Sequence, residues 1–552
     1  MPSFDTVCSR RSAMQGGVAG LGLLAGSSLL SGCSGSRGTT GSATPHDAVR
    51  PRNTVVVAMN STCEPAAGFD PLFSWGCGEH VHEPLIQSTL ITTDENLNVA
   101  HDLATAYYCS VDGLVWTFEL RDDVVFSDGE PLTARDVAFT INGVIDNPAS
   151  EADLSMVERA YAPSDTVVEV RLAKPYNALL YTLAVLGIVP EHAYGEGYGE
   201  HPIGSGRYIL EQWDKGQQAI FAANPSYYGD APEMERVVVV FMDEDAALAA
   251  AQKGDVDVAY TFATHADLTI EGYELTAFDT VDSRGISLPV LPAGGSKAFE
   301  DGSTYPVGND VTCDVGLRRA INCGLDRASV IEHVFNGYGS VAYSVGDGMP
   351  WSSADMRVDF DRERAKRLLD DAGWIAGKDG TRSREDVHAA FDLWYSSDDS
   401  VRQALAHEFA NQMAELGIEV APRGGSWDEI YPHQFSQPIL WGWGSNSPVE
   451  VYELNYSTGW GNYSCYASEV TDSYLDQALA QGDMEASYEF WRKAMWDGVE
   501  GVAPQGAATW VWIANVDHLY FKREGLDVAQ QKPHPHGHGW SLINNVDTWR
   551  WV

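Results

Sequence analysis

Two periodicities divide most of the chain. Val115-Trp-Thr-Phe-Glu-Leu120 and Thr166-Val-Val-Glu-Val-Arg-Leu172 alternate apolar and polar residues with period two, which predicts half-buried strands. Between them, Thr133-Ala-Arg-Asp136 places a hydroxyl three residues before an acid, the signature of a capped helix start. Val55–Met59 is a short β-branched run, and Arg236–Met242 reads as a fully buried strand. After that strand, Asp243 is placed to cap a helix over Glu244–Lys253, Gly254 to end it, and Val256–Tyr260 to return as a strand. The same order recurs as strand Ala390–Tyr395, helix 398–416 and strand Ile418–Ala421. Each set is a βαβ unit, which implies parallel pairing and a right-handed crossover. Two such regions predict an α/β protein with two lobes, and no short-period repeat is present.

The N-terminal segment follows neither period. Arg10 and Arg11 precede an uncharged stretch, Ser12–Ser36, whose middle is apolar, short and glycine-rich. This is the pattern of an export signal, because a membrane span needs roughly 20 strongly apolar residues. Ser9-Arg10-Arg11-Ser12 resembles a twin-arginine signal with Ala13 where Phe is usual, so the export route stays open. Leu30-Ser31-Gly32-Cys33 resembles the bacterial lipobox in all four positions, which implies that Cys33 becomes the lipidated first residue. Residues 1–32 are then the signal, and 33–50, rich in Gly, Ser and Thr, a flexible tether. The expected location is extracytoplasmic, on the outer face of a membrane through the lipid alone.

Composition narrows the partners. With 552 residues, the chain exceeds one compact core. Its formal charge of −43 repels phosphate backbones, so nucleic acid is excluded as a partner and cations or neutral solutes are favoured. Beyond Cys8 and Cys33 the cysteines are Cys63, Cys77, Cys109, Cys313, Cys323 and Cys465. Export permits disulfides among these six, with Cys63–Cys77 and Cys313–Cys323 as the local candidates. No Cys-x-x-Cys occurs, which argues against a thiolate zinc site. Enzyme signatures fail as well. His82-Glu83 is followed by Pro84, Gly373–Lys378 is short of a phosphate loop, and no Gly-x-Ser-x-Gly is present. No catalytic residues are expected.

Val125-Phe-Ser-Asp-Gly-Glu-Pro-Leu-Thr-Ala-Arg-Asp-Val-Ala-Phe-Thr140 resembles the signature of family 5 extracytoplasmic solute-binding proteins, the peptide/nickel receptors of ABC importers. Further landmarks follow in order: Phe69-Asp-Pro71, Glu83-Pro-Leu85, His201-Pro-Ile-Gly-Ser-Gly206, Asn224–Gly229 and Gly254-Asp-Val-Asp257. Arg318-Arg-Ala-Ile-Asn322 with Asp326-Arg327, and Arg364–Leu369 with Ala372-Gly-Trp374, complete them. The resemblance spans about residues 54–515. It implies a bilobal type II "Venus flytrap". Lobe one would take 51–91, 200–282 and 505–552, the inserted small domain 92–199, and lobe two 283–504. It also implies a monomer that closes on its ligand and hands it to a permease with its ATPase.

Two constellations compete for the ligand. Of 15 histidines, five form two groups, His80-Val-His82 and His534-Pro-His536-Gly-His538, and neutral imidazoles suit nickel or a related transition metal. The resemblance to the nickel-binding branch implies that N- and C-terminal histidines meet at the cleft. His407, His433 and His518 are isolated and are expected to be structural. Peptide-binding members carry an aspartate for the peptide's α-amine in a Trp/Gly-rich loop of lobe two. The matching stretch, Leu440–Pro448, has Ser445, Asn446 and Ser447 there, which disfavours the short-peptide alternative without removing it. Trp441, Trp443 and Tyr452 are expected to supply stacking surface in the cleft, and Arg207 is a candidate to hold a ligand carboxylate there. The favoured cargo is nickel or a metal chelate.

Overall fold

The computed structural model describes residues 51–552, apart from 74–75, 78–79, 151, 300–301, 398 and 538. The export signal, the tether, Cys33 and His538 therefore lie outside the described residues, as do the side chains of Cys77 and His80. The turn 298–304 groups separately from the rest of the chain, and within it the Phe299 amide donates to the Ser303 carbonyl at 2.9 Å.

The main unit is built on two large sheets. The first has seven strands in the order Tyr208–Asp214, Gln218–Ala223, Arg236–Phe241, Thr54–Met59, Val258–Thr261, His518–Arg523 and Tyr273–Phe278. Thr54–Met59 runs parallel to both Arg236–Phe241 and Val258–Thr261 and lies between them. The predicted βαβ unit is thus real, but its strands are not neighbours: the apolar Val55–Met59 run, which needs burial on both sides, fills the gap. Helix Glu244–Lys253 ends at Gly254, whose φ of 75° relieves the left-handed turn. Asp243 does not cap it; its carboxylate accepts from the Ser61 hydroxyl at 2.8 Å instead.

The second sheet has six strands, ordered Gly339–Val341, Trp510–Val516, Ser283–Ser287, Ile439–Trp443, Ala390–Ser396 and Glu419–Gly425. Ala390–Ser396 pairs in parallel with Glu419–Gly425 across helix Ser400–Ala414, the expected second βαβ unit. Trp510–Val516 was expected in the first lobe with the rest of 505–552, yet it is hydrogen-bonded to Ser283–Ser287 in the second sheet. The chain therefore returns to the first sheet at Asp517, not at 505. A four-stranded antiparallel sheet, Ala104–Cys109, Val115–Leu120, Val167–Leu172 and Val157–Ser164, packs against helix Ala134–Asp146. Thr133 and Asp136 form the predicted capping box of that helix.

Each large sheet has its own core. Around the first, Phe69 meets Trp213, Phe221 and Trp540 edge-on, with centroids 5.3–5.8 Å apart. Burying each such ring contributes about 1.5–3 kcal/mol. Around the second, Leu317, Trp374, Leu405, Phe409, Val511 and Ile513 are buried. Arg318 and Arg327 are buried too. Arg318 donates to the carbonyls of Thr312, Cys313 and Ala507, and Arg327 to those of Asn322 and Trp512, which fastens one helix to the turn before the strand at 510–516 and the next to the strand itself. The Arg318–Arg327 motif is thereby explained as architecture. Cys313 and Cys323 do not pair, correcting that expectation. They stand at opposite ends of helix Val315–Gly324, and their thiols point to the carbonyls of Asp310 and Asp361.

Candidate functional site at the lobe crossing

The chain passes between the two large sheets at 279–282 and again at Asp517. A third segment joins them there, because the C-terminal stretch folds back. His534 donates its amide to Asp279 O at 3.0 Å and accepts from Val281 N at 2.9 Å, and His536 N donates to Gly444 O at 2.8 Å. Pro535 biases His534 toward extended backbone, and a parallel bridge to Thr280 sets it beside the first crossing segment.

Asp282 organises the polar groups of the crossing. Its buried carboxylate accepts from Arg284 and from the His536 ring, and stands 3.3 Å from His518 Nε2. Burial alone would raise this carboxyl, but Arg284 and His536 outweigh it and hold it well below the usual range. Next in line, His518 Nδ1 lies 3.3 Å from His534 Nδ1. Burial lowers the proton affinity of His518, and of His534 further still with His518 and His82 beside it, so neutral rings are favoured. A carboxylate only accepts, so neutral His518 carries its proton on Nε2 and its Nδ1 accepts from His534. That tautomer leaves His534 Nε2 with a lone pair, which Gln531 Oε1, 3.4 Å away and itself an acceptor, does not satisfy.

His82 reaches the same place from the N-terminal side. It is buried, its Nδ1 lies 2.7 Å from the Ser541 hydroxyl, and its Nε2 has no hydrogen-bond partner among the described residues. Burial, with His518 nearby, depresses it to about 4, so the ring is neutral at pH 7. With Ser541 accepting from Nδ1–H, Nε2 presents a lone pair.

These groups open onto a cavity of about 200 Å³. One wall carries His82, Pro533, His534, Pro535 and Ser541; another, from the inserted segment, carries Asp153 and 181–186; the third is Ser445, Asn446 and Ser447. Asn446 Oδ1 is buried without a partner among the described residues. Beneath that loop, burial pushes the Glu450 carboxyl up to about 7, although it accepts from the Ser445 amide at 3.2 Å.

The structure thus brings His82, His534, Ser445 and Asn446 to one cavity. Other candidates it does not. Trp441 is buried, stacked on Tyr463 at 4.2 Å and on Trp427 at 5.5 Å, and Trp443 packs against Trp460 at 5.5 Å. Neither lines the cavity, since strand alternation turns both rings into the aromatic stack. Tyr452 stacks on Tyr456 at 4.4 Å. Arg207 does not line the cavity: it is half-buried and ion-paired to Asp547. His536 is engaged by Asp282 rather than the cavity. His518, expected to be isolated, is central, and Asp282 and Ser541 were missed. A buried charge run such as Asp282-Ser-Arg284 before a strand was the available signal.

The model of the bacterial extracellular solute-binding proteins, family 5, matches residues 98–464. The chain belongs to this family. Protein XP55 of Streptomyces lividans is 32% identical over 464 residues, covering 79% of this chain and 80% of that one. The nickel-binding periplasmic protein of Escherichia coli is 27% identical over 379 residues, 64% of this chain and 67% of that one. Oligopeptide-binding protein AppA of Bacillus subtilis is 26% identical over 79% of this chain and 82% of its own. Among solved structures, NikZ from Campylobacter jejuni in complex with Ni(L-His) has a TM-score of 0.72 at 23% identity, covering 91% of this chain and 100% of that one. AppA of B. subtilis with a nonapeptide has a TM-score of 0.64 at 21% identity, with the same coverage of 91% and 100%. The fold is accordingly the bilobal type II binding-protein fold. This family 5 protein is an ABC substrate-binding protein of the peptide/nickel type, a solute-binding receptor and not an enzyme. Proteins of the family deliver ligand to an ABC permease and its ATPase, and the homologues are extracytoplasmic. Among the described residues, no helix is long and apolar enough to cross a membrane.

Proposed function

We propose that the cargo is nickel, or a similar transition metal, carried as a chelate. The observation that supports it is a pair of neutral buried imidazoles, His82 and His534, on one cavity wall, with His82 Nε2 unpartnered among the described residues. Among the described residues, no group of three His, Cys, Asp or Glu side chains is arranged to hold a metal ion. A bare ion would lack donors, whereas a small chelator brings its own. Asn446 Oδ1, from the opposite wall, would then accept from a chelator amine or a metal-bound water. A ligand touching both walls stabilises the closed form, which is the requirement for delivery. In this reading, Cys33 anchors a monomer beside its permease, and the Gly/Ser tether raises the local concentration there.

One observation favours the short-peptide alternative. Asp153 lines the same cavity and accepts from Tyr176 and Ser155, and the described residues offer it no ion pair, so a ligand ammonium would suit it.

Calorimetry on chelator-stripped protein separates the readings. Nickel chloride with free L-histidine is expected to bind, and nickel chloride alone weakly or not at all. Heat from trialanine together with none from either nickel solution would reverse the assignment.

A further inference from the structure

The inserted segment also holds the second lobe at a seam beside the cavity, independently of what the cavity binds. Helix Glu469–Leu479 ends beside it, and the last carbonyls of a helix have no partner within the helix. Asn177 supplies one for Leu479 O through its amide N–H, and its Nδ2 adds a donor to Ala478 O, which the Ala480 amide also meets; both Asn177 bonds are 2.9 Å. Asn177 is 1% exposed, so these bonds are shielded from water. Around it, Lys174 Nζ lies 5.6 Å from the centre of the Tyr452 ring, and Tyr181 meets Trp351 edge-on at 5.4 Å. Tyr181 also lines the cavity, so seam and cavity share a wall.

We infer that Asn177 is the latch of the cleft: the inserted domain caps a helix of the second lobe, and the cavity opens only when that cap is released. Separation of the walls would expose two carbonyls and a buried amide together, so opening is cooperative and slower than hinge bending alone. Asn177 touches no cavity surface and acts as a positioning residue.

The test uses the full chain without ligand. Asn177→Asp keeps the shape but replaces the Nδ2 donor with a carboxylate against a helix C-terminus, where negative charge is unfavourable. Hydrogen-exchange mass spectrometry is expected to show about tenfold faster exchange at 181–186 and at 476–482 together. Small-angle scattering should show a larger radius of gyration at unchanged circular dichroism. Faster exchange confined to 174–180, with an unchanged radius, would overturn the latch. Should Asn177→Asp unfold, Lys174→Ala carries the same pair of readouts at the seam. Because no ligand enters, failure of the metal reading leaves the outcome unaffected.

Discussion

His518 Nε2 lies 3.3 Å from the Asp282 carboxylate, which joins the two crossing strands through a buried, charged contact. Asp282→Asn would leave Arg284 buried without its counter-charge. Breaking one side of such a pair costs about 3–5 kcal/mol. Urea unfolding should register the loss, with the midpoint falling and the slope nearly unchanged.

The buried histidines set an acid limit. His82 is depressed from 6.5 to about 4 in the folded chain. As pH falls through 6.5 the unfolded chain takes up a proton that the folded chain refuses until about 4, so stability drains across that window. For His82 the full loss is about 3 kcal/mol. Unfolding free energies measured between pH 7 and 4 should fall in wild type and fall less in His82→Gln.

Glu450 acts with the opposite sign. Its folded value, raised to about 7, means that the folded chain holds a proton the unfolded chain has already lost, so this contribution is full below 4.5 and fades as pH rises through 7. Glu450→Gln keeps a neutral acceptor for the Ser445 amide. It is expected to stabilise the protein at pH 8 by up to about 3 kcal/mol and to change little at pH 4.

Ser541 orients His82 through their 2.7 Å contact. Removing such a supporting hydrogen bond typically lowers metal affinity about 10–100-fold. Titration of Ser541→Ala with nickel and L-histidine should show that drop without a comparable fall in melting temperature. Equal affinity would detach His82 from the cargo.

Gly204 carries no side chain for a steric reason. A Cβ there would sit 2.1 Å from the Ile86 carbonyl oxygen, which backbone pairing keeps from moving. Gly204→Ala should therefore cost at least about 1–3 kcal/mol, read as a clear fall in melting temperature.

Local signals were legible in the sequence. Thr133 with Asp136, and Glu244–Lys253 closed by Gly254, need only a few neighbouring residues to be recognised, and both elements form as read. Interactions between distant residues were not. Arg207 meets Asp547, and Asp282 gathers His518 and His536, across separations that no local period encodes. Trp441 and Trp443 illustrate the limit on the site itself. Their composition suits a ligand wall equally well, and only the partners Tyr463, Trp427 and Trp460 decide that they pack inward. His82 and His534 were found because clustering of a scarce residue type survives in sequence.

The crossing at Asp517 fixes an order of assembly. Everything in the second sheet, Ser283 through Val516, is one unbroken stretch, whereas the first sheet needs His518–Arg523 between Val258–Thr261 and Tyr273–Phe278. Trp540 and Trp549 of its core come later still. A chain growing from its N-terminus can thus complete the second lobe while the first still has a bare edge. The first sheet is complete only with its C-terminal strand, and the cavity wall only with His534.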